Sequence, residues 1–363
     1  MRKYLFMAAI AALFTTGLTS CSNDEGITGK QETKQDFKEI NFNLSDGQGF
    51  PSTRASESTV ETLQGAGVGF YAWGFDGTSA YMGGSTTGVH VTYATNKWDY
   101  TPKQYWPTNG NKLKFMAATP IDYGTYAATS ASIVWTGTIP ECATQKDLMF
   151  AKNDGTGDGI NFSGTETKID LAFDHALSEI VFEGILENNA VLSKATVKEI
   201  GICNVNNSGT ITFAQAGTIT PSAQSGSAIY TPVSDASVEV TAKEGQDPAQ
   251  SPVALCTASQ ALMLMPQDIT AWDGEAKTED VPTSGTYIRV KAQIKNNSDV
   301  EIVSDANYYY IPVPTITWEP GHKYVYKIKF TASSLTPIEF GSVTVNAWPT
   351  TGTNYHNEGP IEF

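Results

Sequence analysis

Lys323-Tyr324-Val325-Tyr326-Lys327-Ile328-Lys329-Phe330 decides the fold class. In an extended chain Tyr324, Tyr326, Ile328 and Phe330 fall on one side, and Lys323, Val325, Lys327 and Lys329 on the other. A period of two is the mark of a strand with one buried face. The same period recurs in both directions from this stretch. Val343, Val345 and Ala347 follow it, and Ile288, Val290, Ala292 and Ile294 precede it, alternating with Arg289, Lys291 and Gln293. Further back, Ile169, Leu171 and Phe173 lead to His175. Leu113, Phe115 and Ala117 run up to Pro120, and Val68, Phe70 and Ala72 alternate with Gly69, Tyr71 and Trp73. The first of the series is Ile40, Phe42 and Leu44, set against Glu39, Asn41 and Asn43. The 32 glycines punctuate the gaps, with turn pairs at Asn109-Gly110 and Asp154-Gly155. Ser58-Thr59-Val60-Glu61 reads as a capping box for one short helix ahead of Gly65. No long stretch has a 3.6-residue period. The predicted fold is therefore all-β, built of sandwiches whose inner faces are these alternating sets. The polar break Glu187-Asn188-Asn189 divides it into an N-terminal β-sandwich domain over 55–190 and a C-terminal one over 191–363.

The N-terminus sets the compartment. Arg2 and Lys3 form a positive n-region and Tyr4 to Phe14 an apolar run too short to span a bilayer. Leu18-Thr19-Ser20-Cys21 then resembles the lipobox of bacterial lipoproteins, in which signal peptidase cuts before a cysteine that carries the lipid. Residues 1–20 are read as a lipoprotein signal peptide and Cys21 as the lipidated residue; an ordinary secretory peptide that happens to contain Cys21 is the bland alternative. An acylated cysteine would anchor the precursor to the cell outer membrane. No later stretch is apolar for long enough to cross one. Ser22 to Asp36 is polar and charged, a tether off the lipid. Residues 21–54 thus hold the lipidated tether and the first strand. Pro51-Ser52-Thr53-Arg54-Ala55-Ser56 sets one Arg among small polar residues, an exposed segment open to nicking.

Composition argues mainly by exclusion. A net charge of −15 is the wrong sign for binding nucleic acid. With Cys21 lipidated, Cys142, Cys203 and Cys256 remain, and an odd three allows at most one internal disulfide; small buried apolar residues are the preferred reading. No two cysteines have zinc-ligand spacing. His90, His175, His322 and His356 show no ligand or triad pattern, and His175 is expected to be a packed, hydrogen-bonded residue. Asn153-Asp154-Gly155-Thr156-Gly157-Asp158-Gly159 is faintly like a calcium loop, but counting from Asp154 the twelfth position is Thr165 where a Glu is needed. It is expected to be a turn. No catalytic residue, cofactor site or metal site is assigned, and the chain is not expected to be an enzyme. Two aromatic groups, Trp98-Tyr100-Tyr105-Trp106 and Tyr308-Tyr309-Tyr310, are either core or platforms for a sugar or a partner protein; core is preferred.

A set of short motifs, in order over some 250 residues behind the lipobox, resembles the fimbrillin family, the subunits of fimbriae in gut and oral anaerobes. They are Trp98-Asp99-Tyr100-Thr101-Pro102-Lys103-Gln104-Tyr105-Trp106-Pro107 and Leu113-Lys114-Phe115-Met116-Ala117-Ala118-Thr119-Pro120. Asp147-Leu148-Met149-Phe150-Ala151 and Leu171-Ala172-Phe173-Asp174-His175-Ala176-Leu177-Ser178 follow. Leu262-Met263-Leu264-Met265-Pro266-Gln267, Pro320-Gly321-His322-Lys323-Tyr324-Val325-Tyr326 and Val343-Thr344-Val345-Asn346-Ala347-Trp348 complete the set.

The resemblance implies two tandem transthyretin-like β-sandwiches in a surface lipoprotein that is cut by an Arg- or Lys-specific protease before polymerising. The matching processing site here is Arg54-Ala55, and the piece removed would carry Cys21 and the strand of Ile40, Phe42 and Leu44. The opened edge would then take a strand from another fimbrial subunit. Six of the 38 acids and six of the 23 bases lie before Ala55, so the processed part would keep the charge of −15. The expected function is a structural or adhesive fimbrial subunit, with a host protein or glycan as a further partner. The alternative is a stand-alone glycan-binding lipoprotein that keeps its first strand and shows its aromatics on one face. A third reading, a secreted hydrolase, requires a cleft with two close carboxylates. Beyond Trp348 the chain shows no strong strand before Pro360-Ile361-Glu362-Phe363, which leans toward a tip or accessory subunit.

Overall fold

A computed structural model describes residues 37–44, 60–164, 167–187, 191–241, 252–274, 281–333 and 336–347. Cys21, Arg54, Ala55, His356 and the tail from Trp348 lie outside the described residues, as does the loop expected at 45–49. Apart from the four-residue helix Val60–Leu63, ahead of Gly65 as expected, and brief 3-10 turns at Cys142–Thr144 and Ala258–Gln260, the described elements are strands. No helix among the described residues is long and apolar enough to cross a membrane.

The first part of the chain builds an eight-stranded sheet. Its order is Asn41–Leu44, Lys168–His175, Met149–Asn153, Leu113–Thr119, Phe70–Asp76, Val89–Ala94 and Lys97–Asp99, with Ser79–Met82 also paired to Phe70–Asp76. All its pairs are antiparallel except that of Asn41–Leu44 with Lys168–His175, which is parallel. Successive residues of its central strands enter different cores. Leu113, Phe115 and Ala117 join Phe70, Ala72, Met149, Ala151, Ile169, Leu171 and Phe173 in one. Met116 and Ala118 join Trp73, Phe75 and Phe150 in another. Burial on both faces explains the near-continuous apolar runs there, whereas Lys168–His175 keeps a strict buried-exposed alternation. Val68, expected within the second strand, lies before it and is 41% exposed. The strand starts instead after Gly69, whose φ is +64 and where a Cβ would sit 1.9 Å from the Val91 carbonyl oxygen.

From Ser178 onward the chain forms other sheets. Ser178–Leu186 runs parallel to His322–Phe330, which pairs antiparallel with Ile338–Ala347. This places the opening motif of Tyr324, Tyr326, Ile328 and Phe330 in mid-sheet, all four buried. Leu192–Val205 pairs antiparallel with Tyr287–Asn296, burying Ile288, Val290, Ala292 and Ile294. By strand pairing the change of sheet falls at Ala176-Leu177. A four-stranded sheet ties the two parts together, because Thr125–Ala128 and Ser132–Thr138 pair on with Ser208–Ala214 and Ile219–Ser225. Phe150 of the first sheet stacks on Phe213 of this one, centroids 5.2 Å apart and planes 9° from parallel. Both rings lie in the larger core. Phe150→Ala removes that stack and leaves a cavity, so the unfolding free energy should fall by about 3–5 kcal/mol, read by denaturant titration.

Candidate functional site

The candidate site is the slot that holds the first strand. Ile40, Phe42 and Leu44, picked out by alternation, are 0%, 4% and 7% exposed. One edge of the strand pairs with the sheet, Asn41 to Lys168 through Leu44 to Leu171. Its other edge, just upstream, is held by the segment after Lys97–Asp99, the strand at the far end of the sheet. The Ile40 amide donates to the Gln104 carbonyl (2.9 Å) and the Trp106 amide to the Lys38 carbonyl (2.8 Å), an antiparallel bridge of Glu39 with Tyr105. Residues 38–44 therefore join the two ends of the sheet around its core.

Side chains reinforce the closure. Phe42 lies among three rings in edge-to-face contact: Phe70 at 5.9 Å, Tyr100 at 5.9 Å and Phe115 at 6.0 Å between centroids. The Tyr100 hydroxyl donates to the Ile40 carbonyl at 2.6 Å, and burial pushes its pKa well above the usual phenol range. Lys103 bridges Glu39 of the strand, at 2.5 Å, and Asp99 of the wall. The hydrogen bond from Lys103 holds the Asp99 carboxyl below the ordinary carboxylate range. Burial pulls Lys103 down, but the bonds to Asp99 and Glu39 outweigh it and raise its pKa. Farther along, the Asn43 side-chain amide donates to the Asp170 carboxylate at 2.7 Å.

Sequence reasoning named Tyr100 as one of an aromatic group and missed its bond to the first strand. The Trp98–Pro107 motif forms this wall, but nothing within it names Ile40 as the partner. Trp98, Tyr100 and Trp106 are buried and only Tyr105 of that group is exposed, at 41%. In the other group Tyr310 is buried, while Tyr308 lies against Arg289 and Lys291 and donates to Glu199 at 2.7 Å. Neither group forms an open platform of rings.

The remaining polar candidates are structural. His175 is buried with Nδ1 2.9 Å from an Asp147 carboxylate oxygen. His90 contacts the Val68 carbonyl at 2.7 Å and His322 the Pro320 carbonyl at 2.9 Å. Asp154 caps a turn, its carbonyl accepting from the amides of Gly157 and Gly159. Among the described residues no group of His, Cys, Asp or Glu could hold a metal ion. Cys142, Cys203 and Cys256 are free thiols, the last two buried. Burial pushes Cys203 and Cys256 up to about 12 from an ordinary 9.0, favouring the neutral thiol in the folded chain. The stability this contributes is complete below pH 9.0 and is lost as pH rises toward about 12. At about pH 8 neither thiol should react with iodoacetamide until the chain unfolds, as mass spectrometry will show.

Removing the ring at the centre of the slot should be costly. Phe42→Ala is expected to lower the unfolding free energy by about 3–5 kcal/mol, and Tyr100→Phe by about 1–2 kcal/mol. Glu39→Ala, which breaks a part-exposed ion pair, should cost less than about 1 kcal/mol. Chemical denaturation of the three variants checks this order.

A profile of the fimbrillin-like family matches residues 53–348. Fimbrium subunit Fim1C of Phocaeicola vulgatus is 29% identical over 92 residues, which span 23% of this chain and 24% of that protein. A crystal structure of a fimbrial protein from Bacteroides vulgatus superposes with a TM-score of 0.57 at 17% identity, covering 86% of this chain and all of that one. It shares the all-β fold described above. With the profile spanning most of its length, the chain belongs to the fimbrillin-like family.

Proposed function

We propose that this chain is a structural, adhesive subunit of a cell-surface fimbrium, made as a lipoprotein precursor and assembled by strand exchange. It would be anchored to the outer membrane through Cys21, cut between Arg54 and Ala55, and joined to other fimbrial subunits once the first strand leaves. The two tandem sandwiches over 55–190 and 191–363 belong to the same reading, with Ser178–Leu186 crossing the division to pair with His322–Phe330 and the shared four-stranded sheet bracing them. The observation that carries the proposal is the slot itself. A short strand, connected to the rest of the fold only through a segment containing Arg54, supplies three buried apolar side chains and joins both ends of a sheet.

The energetics favour exchange only after the cut. Three buried side chains at about 1.5–3 kcal/mol each hold the strand firmly. While the chain is whole, the strand is also tethered beside its slot, at an effective concentration on the order of millimolar. An incoming strand cannot compete with that. Cleavage turns the strand into a separate ligand that can diffuse away, leaving unpaired backbone groups and an apolar slot that a strand from the next subunit can satisfy. A host protein or glycan contact would be a further role of the assembled fimbrium. The glycan-binding alternative has lost its main support, because most of the rings it needs are buried.

The test is controlled proteolysis of the purified, lipid-free precursor with an Arg-specific protease. We expect loss of the residues before Ala55 and growth of oligomers on size exclusion, with Arg54→Ala remaining monomeric. Oligomers from Arg54→Ala in equal amount, or a cut chain that stays monomeric, would contradict the proposal.

A further inference from the structure

The slot contains a subsite more selective than an apolar groove needs. Ile40 and Leu44 pack among mixed apolar side chains, but Phe42 is met edge-to-face by Phe70, Tyr100 and Phe115 at 5.9–6.0 Å. The walls are themselves fixed. Phe70 and Phe115 are fully buried, Phe70 is packed by Phe173 at 5.6 Å and Phe115 by Trp106 at 5.8 Å. Three rings presented to one position favour a fourth ring over an aliphatic chain of like volume, because the quadrupoles of edge-to-face pairs add to the burial. A branched aliphatic chain would also leave part of a rigidly walled space unfilled.

The same ring fixes the alignment. Tyr100 is both a wall of the Phe42 subsite and, through its hydroxyl, a donor to the main-chain carbonyl two residues away, at Ile40. A strand shifted by one residue would turn its apolar side chains outward. Shifted by two, it would keep its apolar face inward but move its ring out of the cage.

We propose that the Phe42 subsite selects an aromatic side chain, so that the strand replacing residues 40–44 carries an aromatic residue flanked at two residues on either side by aliphatic ones. Phe70, Tyr100 and Phe115 determine this specificity, and the Tyr100 hydroxyl sets the register. The inference rests on the strand-exchange reading and adds to it the chemistry of the partner strand.

Displacement of the native strand tests it without altering the fold of the subunit. The full chain is cut with an Arg-specific protease and titrated with a fluorescent peptide of sequence Lys38 to Ser45, followed by anisotropy. The peptide should bind, and the same peptide carrying Phe42→Leu should bind at least tenfold more weakly. Phe42→Ala should be weaker still. Tyr100→Phe in the subunit should weaken the unaltered peptide several-fold while keeping the preference for Phe over Leu. Equal binding of the Phe and Leu peptides, within twofold, would overturn the inference while leaving strand exchange intact. Binding of no peptide to the cut chain would overturn strand exchange and the inference with it.

Discussion

The closure of the eight-stranded sheet by residues 38–44 is the constraint on which the N-terminal part of the molecule depends. A sheet with two open ends would expose two rows of unpaired backbone groups and the apolar face between them. Here one short strand pairs in parallel with Lys168–Leu171 on one side and, on the other, forms an antiparallel bridge to Gln104–Trp106, the segment that follows the strand at the sheet's far end. The core it covers mixes aliphatic and aromatic side chains, and three of its rings, Phe70, Tyr100 and Phe115, meet Phe42 edge-to-face. Because the strand is joined to the fold through the single segment 45–59, one cut there would free an element whose side chains the first core buries. That combination suits a subunit that is stable as a precursor and reactive once cut.

Much of this was legible in the sequence. A period of two marked the strands at 288–294, 324–330 and 40–44, and apart from Val325 the buried residues are those the alternation selects. The short helix expected ahead of Gly65 is present at Val60–Leu63, although Ser58 and Thr59 of its capping box lie outside the described residues. Of the three cysteines expected to be buried Cys203 and Cys256 are, while Cys142 is half-buried. Where both faces of a strand are buried, the pattern blurred. Trp73 and Met116 are as deeply buried as Ala72 and Phe115 but in the other core, so alternation separated the two faces without showing that both are covered. Pairing was not legible at all. Asn43 and Asp170 are hydrogen-bonded across 127 positions and Tyr100 reaches Ile40 across 60, and nothing local in either stretch encodes its partner.

The same limit explains the change of sheet. The polar residues at 187–189 look like a boundary, yet Ser178–Leu186 already pairs with His322–Phe330. Turn chemistry marks where a strand ends, not which sheet it joins. The first strand was found as an amphipathic segment, but its role in closing a sheet emerged only from the fold. So did the register-setting hydroxyl of Tyr100, inside a motif first read as an aromatic cluster.

The most direct measurement is the N-terminal sequence and intact mass of the protein recovered from the native cell surface. The account predicts a chain that begins at Ala55 and carries no lipid. A lipidated chain beginning at Cys21, with residues 22–54 still attached, would contradict it.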